Sequence, residues 1–438
     1  MGGEARGGDG GDGGDATAAA SPRVCALITQ SEIFAHRRIG VRHFRMTTID
    51  PGAMPVASRA REIQPFYAVE VYRRALAMAD QGKTVLMCIG EPDFPTPERV
   101  VRASHEALRR GETHYTMPLG LPQLRRAIAA SYGADHGIDV DPERVIVTVG
   151  GSGALLLAFG AIADPGDEIL MSDPSYPSNR ACLTFCGASA GLVPVGAGER
   201  FQLTARLVEK HWGPRTRGVM VGSPSNPTGT TISHDELTAI HSVVRARGGV
   251  LLVDEIYHKL TYGHRPPSAV ALGEDVFVVN SFSKYQCMTG WRVGWMILPP
   301  EYVPVIERMQ AHFFICPPAP SQWAALASLE PESTAIFEVQ REELERRRDY
   351  LVPALRNLGF GIPVEPDGAF YVYADVSPFA KDSWGWAMAL LRATGVAITP
   401  GKDFGTHEAE KFVRVSYTSS RAQLEGGVEM ISRFLRGG

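Results

Sequence analysis

Lys284 sits alone among small polar residues in the run Ser281-Phe-Ser-Lys-Tyr-Gln-Cys-Met-Thr-Gly-Trp-Arg-Val-Gly-Trp295. The apolar stretch Val276-Phe277-Val278-Val279 comes directly before this run, and Arg292 lies between Gly290 and Gly294. An amine at a strand end, with hydroxyls beside it and a guanidinium close by, is equipped to hold an aldehyde and a phosphate together. Pyridoxal 5′-phosphate carries both groups, and enzymes that use it bind its aldehyde as a Schiff base on lysine.

A site for that molecule makes further demands. Its pyridine nitrogen must stay protonated for the ring to withdraw electrons, which requires a buried carboxylate. Asp254 ends the apolar run Val250–Val253 and is the candidate, a helix cap being its other reading. Tyr257 and Asn226, the latter in Ser223-Pro-Ser-Asn-Pro-Thr-Gly229, are placed to reach the ring hydroxyl. Asn-Pro and Thr-Gly also mark a turn, and a turn at a strand end is where a ligand contact belongs. The phosphate needs backbone N–H groups, hydroxyls and a guanidinium. Gly150-Gly151-Ser152 follows a strand and opens a helix, so it offers an anion site at a positive helix end. Ser281, Ser283 and Arg292 add the remaining donors, arginine being suited to bidentate contact. Tyr176, in Asp173-Pro-Ser-Tyr-Pro177, is a candidate to lie on the cofactor face, or else a packed loop aromatic. Arg414 is out of place inside the apolar strand Phe412–Ser416 unless an anion meets it, either a substrate carboxylate or a structural partner.

Short β-rich runs alternate with helical patterns through the middle of the chain. Strands are expected at Val145–Val149, Glu168–Ser172, Gly191–Val195, Gly218–Gly222, Val250–Asp254, Val276–Asn280 and Val293–Leu298. Helices are expected at Ile63–Gln81, Gly153–Ala163 and from Ser233, capped by a box with Glu236, to Arg247. This order predicts an α/β fold with a mostly parallel seven-stranded sheet flanked by helices. A long charged helix, Glu332–Leu358, broken or bent near Pro353, leads to a smaller α+β domain. There the expected strands are Ala369–Ala374 and Phe412–Ser416, and the helices Trp384–Thr394 and Arg421–Leu435. The expected division is an extension at 1–50, an arm with part of the small domain at 51–90, a large cofactor-binding domain at 91–330 and a small domain at 331–438.

The 438 residues, 44% hydrophobic and 21% charged, describe an ordinary globular chain. A net charge of −4 gives no electrostatic case for nucleic acid. Apolar runs such as Ala154–Ala163 are too short to span a bilayer, and no charged segment followed by an apolar one opens the sequence, so secretion is not expected. Glycine, acid and alanine dominate the first residues, so positions 1 to about 50 are expected to be disordered or an upstream extension, with Met46 a plausible start. The six cysteines form no C-x-x-C pair, and Cys182 and Cys186 lack histidine partners for a metal. Free thiols in a reducing cytoplasm and no metal site are the expectation.

With these residues in place, the chain resembles the class I/II aminotransferases of the aspartate aminotransferase superfamily, fold type I of the pyridoxal phosphate enzymes. The resemblance runs from about Arg59 to the C-terminus. It rests on Gly90-Glu-Pro-Asp-Phe-Pro-Thr-Pro97, Tyr115-Thr-Met-Pro-Leu-Gly120, Pro165-Gly-Asp-Glu168, Asp173-Pro-Ser-Tyr-Pro177, Ser225-Asn-Pro-Thr-Gly229, Asp254-Glu-Ile-Tyr257, Ser281 to Gly294, Pro366-Asp-Gly-Ala-Phe-Tyr371 and Arg414-Val-Ser-Tyr417, in the family's order. It implies that Lys284 is the Schiff-base lysine and proton shuttle, and that Asp254 pairs with the pyridinium. It further implies that Tyr257 and Asn226 contact the ring oxygen, that Tyr176 stacks on the ring, and that Gly151, Ser152, Ser281, Ser283 and Arg292 hold the phosphate. Arg414, with Gly90 and Asn226 beside it, would bind the substrate α-carboxylate. Tyr115 would reach the phosphate of a neighbouring subunit, which implies a homodimer with shared active sites. Two departures stand out: Gly153, where relatives often carry a longer side chain, and the uncommon set Tyr285-Gln286-Cys287.

The reaction expected is ping-pong transfer of an amino group from an amino acid to a 2-oxo acid. A β-eliminating C–S lyase on the same fold is the nearest alternative, although Thr289-Gly-Trp-Arg-Val-Gly294 resembles transaminases more. A DNA-binding regulator would need a winged helix-turn-helix, for which residues 1–50 lack length and periodicity. Phe66, Tyr67 and residues near Asn179 are expected around the substrate side chain. A dicarboxylate donor would need a second cation, for which Arg180 is the candidate.

Overall fold

The computed structural model describes residues 55–79 and 84–437; the expectations for residues 1 to about 50 lie outside them. Twelve strands are present among the described residues: β1 (Val85–Leu86), β2 (Val145–Thr148), β3 (Glu168–Asp173), β4 (Ser189–Pro194), β5 (Thr216–Gly222), β6 (Val250–Asp254), β7 (Val276–Ser281), β8 (Gly294–Ile297), β9 (Tyr371–Asp375), β10 (Val396–Ala397), β11 (Thr399–Pro400) and β12 (Phe412–Ser416). Seven of them form one sheet in the order β2-β8-β7-β6-β5-β3-β4. Only β8 runs against its neighbours, pairing antiparallel with both β2 and β7. The sheet is therefore mixed and mostly parallel, as the sequence predicts.

Strand alternation sorts the sheet's side chains into two cores. Leu252, Met220, Met171, Phe277 and Val279 pack with Leu155, Leu157 and Phe159 of helix Gly150–Ile162. Leu251, Val253, Val219, Val221, Val276 and Val278 face the other way and pack with Leu237, Ile240 and Val244 of helix His234–Ala246. Each such side chain, fully buried, contributes about 1.5–3 kcal/mol. Covered on both faces, the strands hold their loop-bearing ends rigidly.

A second sheet, β11-β12-β9, is antiparallel and carries Arg414 on its central strand, opposite Thr399 and Tyr373. β1 pairs with β10 in parallel, tying the chain before Gly90 to its last third. Helix Arg421–Leu435 matches its expected span.

Four expectations are corrected. The first helix starts at Tyr67, after a separate short helix Ser58–Glu62, because Pro65 favours extended backbone before it. Ser233 caps its helix by accepting from Glu236 N, but the Glu236 carboxylate accepts from Ala205 N, so the box is half formed. Helix Pro331–Asn357 is not broken at Pro353. Burial of Leu351, Val352 and Leu355 around the proline outweighs the lost hydrogen bond. Finally, β9 begins at Tyr371 and not at Ala369, whose φ of 55° lies in the left-handed region and excludes it from a strand.

Candidate active site

β2, β3, β5, β6 and β7 all point their carboxyl ends at one edge of the large sheet, where α/β proteins bind ligands. The residues just past those ends line a cavity of about 370 Å³. β2 supplies Gly151 and Ser152, β3 supplies Ser175 and Tyr176, β5 leads to Ser225 and Asn226, β6 to Asp254 and Tyr257, and β7 to Ser283 and Lys284. Arg292, Arg414, Gly90 and Phe66 complete the set from elsewhere in the chain.

Lys284 Nζ donates to Gly90 O at 2.7 Å. Burial pushes its pKa down from 10.5 to about 8; nearby Glu91 opposes the shift, while Arg414 and Arg292 add to it. A lysine near 8 has a useful neutral fraction and therefore a nucleophilic nitrogen. Asp254 shows the converse. Burial raises its carboxyl to about 6, restrained by the N–H of Ile256, which donates to Oδ1 at 3.0 Å. Lys284 lowers it only slightly, and no ion pair to it is present among the described residues. A buried carboxylate without an ion pair suits a ligand that brings a protonated nitrogen.

The first group of donors suited to an anion gathers around the start of helix Gly150–Ile162. Gly150 has φ 66° and lies so close to Arg292 that a Cβ there would sit 2.6 Å from Nη2. Arg292 has a φ of 54°, a conformation that costs a bulky residue about 1–2 kcal/mol. Its Nη1 is held by Thr289 O at 2.9 Å. Ser283 lines the cavity, and Ser281 Oγ donates to Ser283 Oγ at 2.9 Å.

Arg414 forms the second group and is almost wholly buried. Nη1 donates to Asn226 Oδ1 at 2.9 Å and Nη2 to Cys88 O at 2.8 Å. The Tyr371 and Phe404 rings lie 4.2 and 5.0 Å from the guanidinium carbon. Its Nε finds no acceptor, although it too is buried. No carboxylate pairs with this arginine among the described residues, so it takes part in no structural ion pair there; its partners in the chain are an amide oxygen and a backbone carbonyl. Tyr257 Oη bonds Tyr371 Oη at 2.9 Å. A Cβ at Gly90 would overlap that Tyr371 hydroxyl, so the main chain approaches here only because residue 90 is glycine.

The structure thus brings together Lys284, Asp254, Tyr257, Asn226, Tyr176, Gly151, Ser152, Ser283, Arg292, Gly90 and Arg414. Ser281 does not line the cavity and stands behind Ser283. Tyr115 lies outside this chain's cavity with 83% of its surface exposed. Tyr67 turns away, its ring 5.5 Å from Trp384 and 4.2 Å from Lys402 Nζ. Arg180 is not a free cation: Nη1 and Nη2 donate to Phe404 O and Asp403 O at 2.9 and 2.8 Å. Sequence reasoning assigned no role to Tyr371, Glu91 or Cys88. Tyr371 was visible only as the last residue of Pro366-Asp-Gly-Ala-Phe-Tyr371.

A buried amine, a buried carboxylate and two separate arginines thus line one cavity on an aspartate aminotransferase-like fold. Residues 82–431 match the family "Aminotransferase class I and II". The chain is 41% identical over 386 residues to valine–pyruvate aminotransferase of Mycobacterium tuberculosis, covering 87% of this chain and 98% of that protein. It is 38% identical to aspartate/prephenate aminotransferase of Thermus thermophilus, again covering 87% and 98%. Among solved structures, an aminotransferase from Mycobacterium tuberculosis superposes with a TM-score of 0.85 at 40% identity, covering 88% of this chain and all of that one. Aspartate aminotransferase from Thermus thermophilus with maleate gives 0.83 at 37%, with 87% and 100% covered. The chain belongs to the class I and II aminotransferase family and is a transaminase. That family is pyridoxal phosphate-dependent. No helix among the described residues is long and apolar enough to cross a membrane.

Proposed function

We propose that this chain uses pyridoxal 5′-phosphate to move the amino group of a neutral, apolar amino acid to a 2-oxo acid, by a ping-pong cycle. The observation that carries the reading is Lys284 and the unpaired Asp254 in one cavity, with separate arginines for two anions. The donor set fits the cofactor. Arg292, Ser152, Ser283 and the Gly151 N–H would hold its phosphate, Asp254 its ring nitrogen, Asn226 and Tyr257 its ring oxygen, and Tyr176 one ring face. When bound, the cofactor supplies a ring that absorbs the electron pair left on the substrate α-carbon.

Lys284 Nζ would hold the cofactor's aldehyde group, and as a free amine it would take up and return the proton at the substrate α-carbon. Burial keeps that amine near pKa 8, basic enough to accept the proton and weak enough to return it. Arg414 orients the α-carboxylate, whose oxygens would give the unpaired Nε an acceptor. Phe66, Val69 and Tyr72 line the cavity, which supports an apolar donor. Arg180 is held by backbone carbonyls, which removes the candidate for a second carboxylate. The resemblance to a valine–pyruvate aminotransferase supports branched donors with pyruvate as an acceptor.

The assembly proposed is a homodimer in which Tyr115, exposed here, reaches the partner's cofactor. Exposed Met117, Phe313 and Ile315 are consistent with a buried interface. Cytoplasmic placement is supported by the free state of the five described cysteines. The division at 51–90, 91–330 and 331–438 is supported by the β1–β10 pair, which joins the first segment to the last.

The test supplies valine, leucine and aspartate with and without pyruvate, alanine with and without 2-oxoglutarate, and cysteine without an acceptor. Amine exchange that depends on the oxo acid and favours the branched donors is expected. Ammonia and pyruvate released from a sulfur amino acid without an acceptor would overturn the reaction, and preference for aspartate would overturn the substrate class.

A further inference from the structure

The wall of the cavity that carries Ala68, Val69 and Tyr72 is the first two turns of helix Tyr67–Ala79. Helix starts leave N–H groups without intrahelical acceptors, and a nearby side chain usually caps them. Here the cap comes from 335 residues away. Asp403 Oδ1 accepts from Tyr67 N at 2.8 Å and Oδ2 from Ala68 N at 3.1 Å, with 1% of the residue exposed. A carboxylate at this end also meets the positive pole of the helix.

Asp403 is itself fixed on three sides. The Arg180 guanidinium holds the carbonyls of Asp403 and Phe404, and Ser175 N donates to Phe404 O at 2.8 Å. The Asp173 carboxylate accepts from Thr406 N, Thr406 Oγ1 and His407 N. Gly405 leaves no room for a side chain against Asp173. Lys402 Nζ lies 3.8 Å from the centre of the Trp384 ring and 4.2 Å from that of Tyr67, closing the turn over the outside of the helix. Phe404, next in sequence to Asp403, supports the Arg414 guanidinium from below. One turn, residues 401–407, thus fixes both the wall facing a substrate side chain and the arginine meant for its carboxylate.

We infer that Asp403 is a positioning residue for donor selection: through the start of helix Tyr67–Ala79 it sets the distance between the apolar wall and Arg414. The inference rests on the proposed transamination of apolar donors. It makes no claim that Asp403 touches substrate or cofactor.

The test compares Asp403→Ala and Asp403→Asn holoenzymes with the parent. Each is assayed for leucine and alanine as donors with 2-oxoglutarate as the common acceptor, and titrated with pyridoxal phosphate by absorbance. For Asp403→Ala, loss of the cap should raise the leucine KM about tenfold while kcat at saturation stays within about threefold. Alanine, too short to reach the wall, should be affected far less, so the leucine-over-alanine ratio of kcat/KM falls. Asp403→Asn keeps one acceptor oxygen and should recover most of the ratio, and it also serves if the alanine variant fails to fold. Cofactor affinity should not move. Equal losses for both donors, or a ratio unchanged in both variants, would overturn the inference. Failure of the parent to exchange amines at all would instead remove the underlying reading, and the two failures are thus distinguishable.

Discussion

Two walls of one cavity are built by opposite strategies. The wall with Asp254, Tyr257, Ser283 and Lys284 consists of residues at most a few positions past parallel strands whose own burial fixes them. The wall with Val69 and Tyr72 owes its place to Asp403, more than three hundred residues distant, and to a turn that no sheet contains. The first wall inherits precision from the core. The second is held by a handful of polar contacts, each worth about 0.5–3 kcal/mol, and is where specificity can change without disturbing the chemistry.

The sharpest way to break that comparison is Lys284→Ala. If the strand-end wall carries the reaction, removal of its amine takes away nucleophile and proton carrier together. Turnover should fall by about four orders of magnitude or more while some cofactor still binds through the remaining contacts. Activity within tenfold of the parent would place the chemistry on another residue. Borohydride reduction followed by peptide mass should find the cofactor label on Lys284 in the parent and nowhere in the variant.

A smaller effect comes from pH. Burial lowers Lys284 to about 8, so the neutral amine grows about tenfold per pH unit below that value and is nearly complete above it. Capture of pyridoxal phosphate by the apoprotein, followed by absorbance, should rise with that slope and level off near pH 8. A rate still climbing at pH 10 would mean that the amine keeps its ordinary pKa. Asp403 variants should leave this profile nearly where it is, because burial, and not Arg414, is the main cause of the lysine's lowered pKa.

The strand-end wall was legible in the sequence for the same physical reason that makes it rigid. A buried parallel strand reads as a short apolar run, and the polar residue that ends it must face either solvent or ligand. Asp254 after Val250–Val253 and Lys284 after Val276–Val279 are such cases. Arg414 was legible too, as a charge interrupting an apolar strand. The other wall was not. Nothing near Asp403 in the sequence says that its carboxylate accepts from Tyr67 and Ala68, since that contact exists only after two distant segments dock. Tyr67 and Phe66 look alike as adjacent aromatics, yet the helix start turns one outward to Trp384 and the other into the cavity. Ser281 reads as a phosphate donor because its hydroxyl stands at a strand end beside Lys284, yet that hydroxyl faces Ser283 because Ser281 ends β7 paired to Gly294.

Arg180 gives the smallest effect and the finest discrimination between the two walls. As a spare cation near the site, it suggested recognition of a second carboxylate; as a clamp on the 401–407 turn, it recognises nothing in the substrate. Arg180→Gln separates these readings. The clamp predicts a stability loss of about 1–3 kcal/mol, seen as a lower thermal midpoint, because two charge-assisted bonds to carbonyls become at best one neutral bond. It also predicts a leucine-over-alanine shift in the direction of the Asp403 variants but smaller, since Asp403 would still cap the helix from a looser turn. Aspartate and glutamate should remain as poor donors as in the parent. A selective loss of acidic donors, with the thermal midpoint unchanged, would instead mean that the guanidinium leaves its carbonyls when substrate arrives, and the second wall would then belong to the chemistry of recognition as directly as the first.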